Sequence, residues 1–273
     1  MSRTVQQKRA DFRALHSRGC FVLPNPWDVG SARMLAGLGF KALATTSSGF
    51  AWSQGHADGA VPREQVLAHL RILAAATDLP LNADFESGYA ADAAGVAESV
   101  RMAIDTGVAG ISIEDSTGDA ENPLRPIDVS VTRMRAARAA IDAAGGDTLL
   151  VGRAENFIVN RPDLADTIAR LKAYSAAGAD CLYAPGIKTR EQITAVVAAV
   201  APKPVNLLIG AASEFTLQDV AAMGVRRISI GGALARTAWA GMLQAARKIA
   251  TEGRFDGLAH ATPGKELNGF FAK

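Results

Sequence analysis

The sequence predicts an α/β fold, specifically a (β/α)8 barrel of the TIM type, on three grounds. The chain has 273 residues, and α/β barrels of similar length commonly form one domain. Short apolar segments typical of buried strands alternate with segments of helical periodicity. Four strands follow a glycine that ends the preceding helical pattern, as a left-handed cap requires: Gly39, Gly107, Gly178 and Gly224.

These patterns define eight strand candidates in chain order, preceded by a polar, amphipathic segment that predicts a leading N-terminal helix. The strands lie near residues 21–25, 42–46, 81–84, 110–114, 149–153, 180–184, 205–209 and 227–231. They are short and almost wholly apolar, which is typical of parallel strands covered on both faces. An open, doubly wound sheet is the alternative, but no Gly-x-Gly-x-x-Gly motif follows the first strand to favour it.

Helical segments separate the strand candidates. Apolar residues repeat at helical spacing over 96–107 behind Asp92, and over 164–175 behind Asp163. Each aspartate is a suitable N-cap because its carboxylate can accept a hydrogen bond from an unpaired amide of the first turn. The regular alternation of strand and helix therefore favours the barrel.

The bulk composition excludes several classes of protein. The 29 basic and 27 acidic residues nearly balance, for a formal charge of +2, so there is no electrostatic case for nucleic-acid binding. No apolar stretch reaches the roughly 18 residues of a membrane span, and no N-terminal segment has signal-peptide form. We therefore expect a cytoplasmic protein without membrane contact. Because no composition break marks a boundary, we expect a single domain over residues 1–273.

Polar residues collect at the predicted C-terminal ends of the strands, where barrel active sites lie. Two acidic pairs follow the third and fourth strands, namely Asp84 with Glu86 and Glu114 with Asp115. Arg153 ends the fifth strand. Carboxylate oxygens suit Mg²⁺, and arginine binds carboxylates or phosphonates bidentately. This predicts a metal and an anionic substrate. The alternatives are capping or surface acids, and a salt bridge from Arg153 to Glu155 or Glu114.

The end of the second strand offers a further candidate site for an anion. Ser47, Ser48, Gly49 and Phe50 follow this strand directly. A glycine-containing turn exposes backbone N–H groups, so the Ser48 hydroxyl and the amides of Gly49 and Phe50 could hold a carboxylate.

Other features allow both a structural and a functional interpretation. Cys20 and Cys181 lie in apolar contexts, which favours two free thiols over a disulfide. His56 lies near Asp58 and could act as an acid or base, although an exposed loop histidine is favoured. The glycines at 231–232, after the last strand, could hold a phosphate or could simply allow close packing.

The chain resembles the isocitrate lyase/phosphoenolpyruvate mutase superfamily. The resemblance extends from residues 24–28 to 230–232, and its most specific segments are TSSG (46–49), NADFESGY (82–89), GISIED (110–115) and GRAE (152–155). It implies a Mg²⁺ ion, with Mn²⁺ as an alternative. The residues implied to hold the metal are Asp84 directly and Asp58, Glu86 and Glu114 through water.

The resemblance also implies a substrate and an assembly. Ser48, Gly49, Phe50 and Arg153 would bind a 2-oxo carboxylate, and the metal would stabilise an enolpyruvate-type oxyanion while a C–C or P–C bond is made or broken. The last helix would be exchanged between subunits of a homodimer or homotetramer, so residues 233–273 would pack on a partner. Arg153, Glu114, Asp58 and Asn122 would be the catalytic residues.

Departures from the family pattern narrow the expected reaction. The loop 116–124 contains no Cys, Lys or His, so we do not expect isocitrate or 2-methylisocitrate lyase activity. Asn122 corresponds to a residue of the phosphonate branch, but Ala120 replaces its lysine and Tyr183 stands where its histidine lies. We expect a Mg²⁺-dependent lyase or decarboxylase that acts on C–C bonds. The alternatives are a phosphonopyruvate or carboxyphosphonoenolpyruvate-type mutase or hydrolase, and a non-catalytic protein that binds a 2-oxo acid.

Overall fold

The computed structural model describes residues 3–272, and within them eight parallel strands form a nearly closed barrel. The strands pair in the order β1-β8-β7-β6-β5-β4-β3-β2. Their bounds are β1 Phe21–Leu23, β2 Leu43–Ala44, β3 Leu81–Asp84, β4 Gly110–Glu114, β5 Leu149–Arg153, β6 Cys181–Tyr183, β7 Val205–Leu208 and β8 Arg227–Ser229. The Ala44 amide donates to the Pro24 carbonyl at 3.0 Å and so connects β2 to the end of β1. The predicted barrel is confirmed.

Helices cover the outside of the barrel. Their bounds are α1 Val5–Leu15, α2 Val29–Gly37, α3 Ser47–Ser53, α4 Arg63–Ala76, α5 Ala93–Ile104, α6 Ile127–Ala143, α7 Leu164–Ala176, α8 Arg190–Val200, α9 Leu217–Ala222, α10 Ala233–Glu252 and α11 Gly264–Phe271. Asp92 and Asp163 cap α5 and α7 through their side chains, as predicted. The four glycines predicted to end helices all have positive φ, between 85° and 104°.

Several strands are shorter than the sequence predicts, for local reasons. Strand β1 ends before Pro24, which has no N–H to donate to a ladder. Strand β2 ends at Ala44 because Thr46 instead caps a helix, its hydroxyl accepting from the Gly49 amide at 3.3 Å. The predicted turn at 45–50 is therefore largely the first turn of α3.

Helix α1 closes the N-terminal end of the barrel. The fully buried ring of Phe12 packs among residues of the strands. The Lys8 ammonium donates to the carbonyl of Ala74 in the last turn of α4, at 2.8 Å. The Arg9 guanidinium donates to the carbonyl of Ile104, the last residue of α5, at 2.9 Å. Cations at helix C-termini satisfy unpaired carbonyls and complement the helix dipole, so α1 is fixed to the barrel by both packing and charge.

The C-terminal helices differ from the rest in their exposure. Ala235 and Ala245 are the buried residues of α10, all of which the structure describes. Exposed apolar side chains lie along α10 at Trp239, Met242 and Leu243. Helix α11 packs against α2. None of the helices within residues 3–272 is long and apolar enough to cross a membrane. Both cysteines are free thiols, as predicted.

Two buried histidines make the stability of the fold sensitive to acid. Burial lowers the pKa of His16 to about 3 and that of His69 to about 4. Below pH 6.5 the unfolded chain therefore binds protons that the folded chain does not bind. The folded state should lose about 1.4 kcal/mol per pH unit for each histidine as the pH falls from 6.5 towards 4.

Urea unfolding of wild type and His69→Gln at pH 7, 6 and 5 measures this effect. We expect a shallower loss of stability in the variant. His56→Gln is the control, because His56 is exposed and should leave the slope unchanged. An identical slope in wild type and His69→Gln would contradict the prediction.

Candidate active site

An acidic pair and an arginine meet at the C-terminal mouth of the barrel. Asp84, Glu114 and Arg153 are the last residues of β3, β4 and β5. Arg153 Nη1 lies 3.1 Å from Asp84 Oδ1 and 3.2 Å from Glu114 Oε2. The parallel register pairs Glu114 with Arg153, so neighbouring strand ends bring these charges together. The predicted convergence is confirmed, whereas the catalytic roles of these residues stay predictions.

The guanidinium of Arg153 is held from several sides. Its Nε donates to Glu155 Oε1, and its Nη2 lies 3.2 Å from Glu155 Oε2. Its Cζ lies 5.2 Å from the centroid of the Tyr183 ring, within reach of a cation–π contact. Burial alone would lower the pKa of Arg153, but the surrounding carboxylates raise it well above its usual value. Arg153 therefore forms the salt bridges to Glu114 and Glu155 that the sequence allowed as a structural alternative. It also keeps its positive charge and its position in the site.

A strained turn carries Glu86. Glu86 and Tyr89 have φ angles of 45° and 53°, in the left-handed region that residues other than glycine rarely adopt. The Tyr89 hydroxyl donates to Glu86 Oε1 at 2.5 Å. From α6, Arg133 donates to the carbonyls of Ser87, Ala90 and Ala91. These contacts hold the turn in a conformation that costs on the order of 1–3 kcal/mol per strained residue.

Acidic side chains are crowded around this turn. Burial raises the pKa of Glu86 to about 7, and the charges of neighbouring acids add to the shift. Burial also raises the pKa values of Asp58 and Glu114, and the charge of Asp84 contributes to both shifts. The mouth of the barrel thus carries more negative charge than Arg153 alone offsets.

The donor set fits Mg²⁺. Oxygen ligands suit this hard cation, which usually takes one or two carboxylates and keeps several waters. Burial is the main cause of the raised pKa values of Asp58, Glu86 and Glu114, and the charge of Asp84 adds to each shift. A divalent cation held here would offset this repulsion between neighbouring acids. Within residues 3–272, no three His, Cys, Asp or Glu side chains form a preassembled ligand cluster.

A cavity of about 710 Å³ opens above these residues. Acidic residues, the loop after β4 and the loop after β5 form its wall, including Asp58, Glu86, Glu114, Arg153, Glu155, and residues 116–120 and 158–161. The sequence indicated Glu155 and Asn156 at this strand end, but the contribution of residues 158–161 was not predicted. Asn160 has a φ of 57°, in the left-handed region that asparagine tolerates better than most residues other than glycine.

Residues 47–50 contribute to the site through their serines and not through the two backbone amides that the sequence predicted. The Ser47 amide donates to Asp84 Oδ2 at 3.1 Å, and Ser47 and Ser48 line the inner part of the site. The Gly49 amide donates to the Thr46 side chain and the Phe50 amide to the Thr46 carbonyl. Both predicted anion-binding amides are therefore engaged inside α3, while the two serines face the cavity.

The remaining predicted residues are divided between the cavity and the surface. Asp58 and His56 both lie on an exposed loop, but Asp58 lines the cavity and His56 does not, in agreement with the interpretation favoured for His56. Asn122 is exposed and its amide lies 3.4 Å from Asp119 Oδ2. The structure therefore does not bring Asn122 to the acidic cluster. Its surroundings are a separate rim cavity formed with the β5 loop.

The glycines after β8 are closely packed. The amide of Gly231 donates to Asn25 Oδ1 at 2.9 Å. A Cβ on Gly232 would lie 2.7 Å from Ser48 Oγ, closer than real contacts allow. This geometry favours the packing interpretation over a phosphate site.

Asp115 supports the site from behind. Because consecutive strand residues point to opposite faces, Glu114 faces the cavity and Asp115 faces the helices. Asp115 Oδ2 accepts from Arg170 Nη1 at 3.0 Å and from the Tyr174 hydroxyl at 2.5 Å. Its Oδ1 accepts from the Glu155 amide at 2.9 Å. Asp115 thus positions the segment that carries Glu155.

Comparisons with known proteins agree with this geometry. The family model for phosphoenolpyruvate phosphomutase matches residues 12–250. A Burkholderia cenocepacia protein described as a lyase/mutase is 47% identical, with a TM-score of 0.95 and coverage of 98% of both chains. The oxaloacetate decarboxylase of Paraburkholderia xenovorans is 32% identical over 82% of this chain and 75% of its own.

A 2,3-dimethylmalate lyase of the PEP mutase/isocitrate lyase superfamily is also similar, at 27% identity, with a TM-score of 0.84 and coverage of 99% of this chain and 95% of that one. The chain belongs to the phosphoenolpyruvate phosphomutase family, and the predicted resemblance to the superfamily is confirmed. It is accordingly an enzyme of this superfamily, and its relatives support a lyase.

The buried Asp115 network makes a testable prediction about stability. Asp115→Ala should lower the free energy of unfolding by about 3–5 kcal/mol. The substitution removes the carboxylate that pairs with the buried Arg170 Nη1. Urea unfolding measures the loss. Asp119→Ala is the control, since Asp119 lies on an exposed loop; equal stability of the two variants would contradict the structural role.

Proposed function

We propose that the enzyme is a Mg²⁺-dependent lyase that breaks or forms a C–C bond in a small 2-oxo or 2-hydroxy carboxylate. The observation that carries the proposal is the meeting of Asp84 and Glu114 with Arg153 at the mouth of one barrel. Asp84, Glu86 and Glu114 would hold Mg²⁺, which would supply positive charge to a developing enolpyruvate-type oxyanion.

The protein groups have complementary tasks in this reaction. Arg153 is a fixed guanidinium and would orient the substrate carboxylate. Ser47 and Ser48 line the inner cavity and offer hydroxyl donors to the same anion. Asp58 and Glu114 also line the site and would accept or return a proton.

The relatives support C–C chemistry on this type of substrate. One is an oxaloacetate decarboxylase, another is a 2,3-dimethylmalate lyase, and a third structure is an oxaloacetate acetylhydrolase in complex with its product oxalate, at 27% identity. The phosphonate alternative depended on Asn122, which lies on the surface and away from the acidic cluster. We therefore place cleavage of a C–C bond ahead of P–C chemistry.

We also propose that the enzyme is a homo-oligomer assembled through α10. The residues Trp239, Met242, Leu243 and Ile249 follow helical spacing and expose 36–49% of their surface. Several exposed apolar side chains on one helix are typical of a subunit interface. A homodimer or homotetramer would cover them, in line with the expectation for residues 233–273.

The proposed activity can be tested with a panel of 2-oxo and 2-hydroxy di- and tricarboxylates, by measuring 2-oxo acid release. We expect turnover with Mg²⁺ or Mn²⁺ that stops on chelation. Asp84→Asn should lower kcat/KM by at least about 100-fold, whereas Asp105→Asn, at the exposed C-terminal end of α5, should retain wild-type activity. Conversion of phosphonopyruvate alone, with no acid of the panel cleaved, would overturn the proposal.

The proposed assembly predicts a change in mass. Replacing Trp239 and Met242 together with glutamate should give the 28.4 kDa monomer, because charges are costly in an apolar interface. Light scattering after size-exclusion chromatography measures this. Arg247→Glu, on an exposed position of the same helix, controls for added negative charge. Unchanged oligomers in the double variant would exclude α10 as the interface.

A further inference from the structure

A further cavity, of about 400 Å³, lies at the C-terminal ends of β6 and β7. The charged residues of its wall, Lys188 and Glu214, have opposite signs, so they give it no net charge that would attract an anion. Its volume falls within the roughly 300–1,000 Å³ typical of small-molecule pockets. This apolar cavity therefore suits an uncharged, hydrophobic group. Its apolar lining includes Ile158, Ile187, Ile193, Leu207, Leu208 and Phe215.

The packed core holds much of the wall of the apolar cavity in place. Ile187, Ile193 and Leu207 are at most 2% exposed, so this part of the wall belongs to the interior of the barrel. The Arg190 guanidinium lies 5.5 Å from the centroid of the Phe215 ring, within reach of a cation–π contact. Residues 211–214 are exposed and also line the cavity, so it opens to solvent on this side. The cavity is therefore preformed and accessible to a small molecule.

The apolar cavity shares part of its wall with the candidate active site. Ile158 and Leu208 also line the inner cavity, together with Ser48, Asp84 and Arg153. Ile158 in addition lines the outer cavity of about 710 Å³. Ile158 and Leu208 therefore form the boundary between the apolar cavity and the guanidinium that is proposed to bind the substrate carboxylate.

The backbone at Ile158 is fixed, whereas its side chain is free to turn. The amides of Ile158 and Val159 donate to the Glu155 carbonyl at 2.9 and 3.0 Å. A Cβ on Gly186 would lie 2.7 Å from Phe157 Cβ, so the loop after β5 packs directly on the segment after β6. The Ile158 side chain is 46% exposed, and exposed side chains change rotamer without disturbing a core. Rotation of this one side chain can therefore widen the passage between the cavities.

We propose that the apolar cavity binds an alkyl chain of the substrate, so that the enzyme acts on a 2-oxo or 2-hydroxy acid whose chain is longer than a methyl or ethyl group. The carboxylate lies at Arg153, and the chain passes Ile158 and Leu208 into the cavity. The shared wall identifies the occupant as part of the substrate and not as a separate molecule. This inference rests on the proposed function and names the substrate class of the same site. Ile158 is a specificity-determining residue at the boundary.

A matched pair of ligands tests the proposal by calorimetry in the presence of Mg²⁺. Pyruvate and 2-oxohexanoate share the 2-oxo carboxylate, but 2-oxohexanoate carries three additional methylene groups. Each methylene that leaves water for an apolar cavity strengthens binding by up to about fourfold. Wild type should therefore bind 2-oxohexanoate at least about 20-fold more tightly than pyruvate.

A charge at the boundary should remove this preference. Ile158→Asp places a carboxylate where the chain must pass, and an apolar passage does not compensate it. Val159→Asp is the matched control, because Val159 is the adjacent residue and lines the outer cavity but not the apolar cavity. It should change the affinity for both ligands alike and keep the preference for 2-oxohexanoate. The wild-type comparison tests the proposal even if a variant does not fold.

The outcomes separate the two proposals. Equal binding of pyruvate and 2-oxohexanoate by wild type, or an unchanged preference in Ile158→Asp, overturns the role of the apolar cavity and leaves the proposed function standing. Failure of wild type to bind either acid with Mg²⁺ overturns both.

Discussion

The contact of one guanidinium with three carboxylates is the interaction on which the site depends. Arg153 lies within salt-bridge distance of Asp84, Glu114 and Glu155. Asp84, Glu114 and Arg153 end three successive strands, so the parallel register of β3, β4 and β5 brings these three together, while Glu155 follows Arg153 in the chain. The positive charge of Arg153 permits these acids to remain close together at the mouth.

Hydrogen bonds from the surrounding helices hold this arrangement in place. The alternation of side chains along β4 gives Glu114 to the cavity and Asp115 to a buried network with α7. On the other side of the site, Arg133 binds three carbonyls of the turn that follows Glu86. Functional groups whose supporting segments are held by such hydrogen bonds keep their geometry as ligands enter and leave. The helices therefore position the chemistry as well as cover the barrel.

The sequence predicts the barrel well because four of the αβ turns carry a clear local signal. The cap at Gly107, for example, needs a positive φ, and such local chemistry is visible without a structure. Strand-end acids are equally accessible, since parallel strands share one functional edge. The hydrogen bond that engages the Gly49 amide could not be predicted from the sequence, because it forms only if residues 47–50 adopt a helical turn. The burial of Arg227 in β8, where it is 2% exposed, was not predicted, because an arginine in a short strand is normally taken to face solvent.

The contact between Gly232 and Ser48 has a mechanical consequence. Gly232 directly precedes α10, and there is no space for a side chain between it and the Ser48 hydroxyl. The wall of the inner cavity at Ser48 is thus in direct contact with the N-terminus of α10, the helix that would join the subunits. In the proposed oligomer, dilution that separates the subunits would free the N-terminus of α10, so the catalytic rate and the degree of association are expected to rise together with protein concentration.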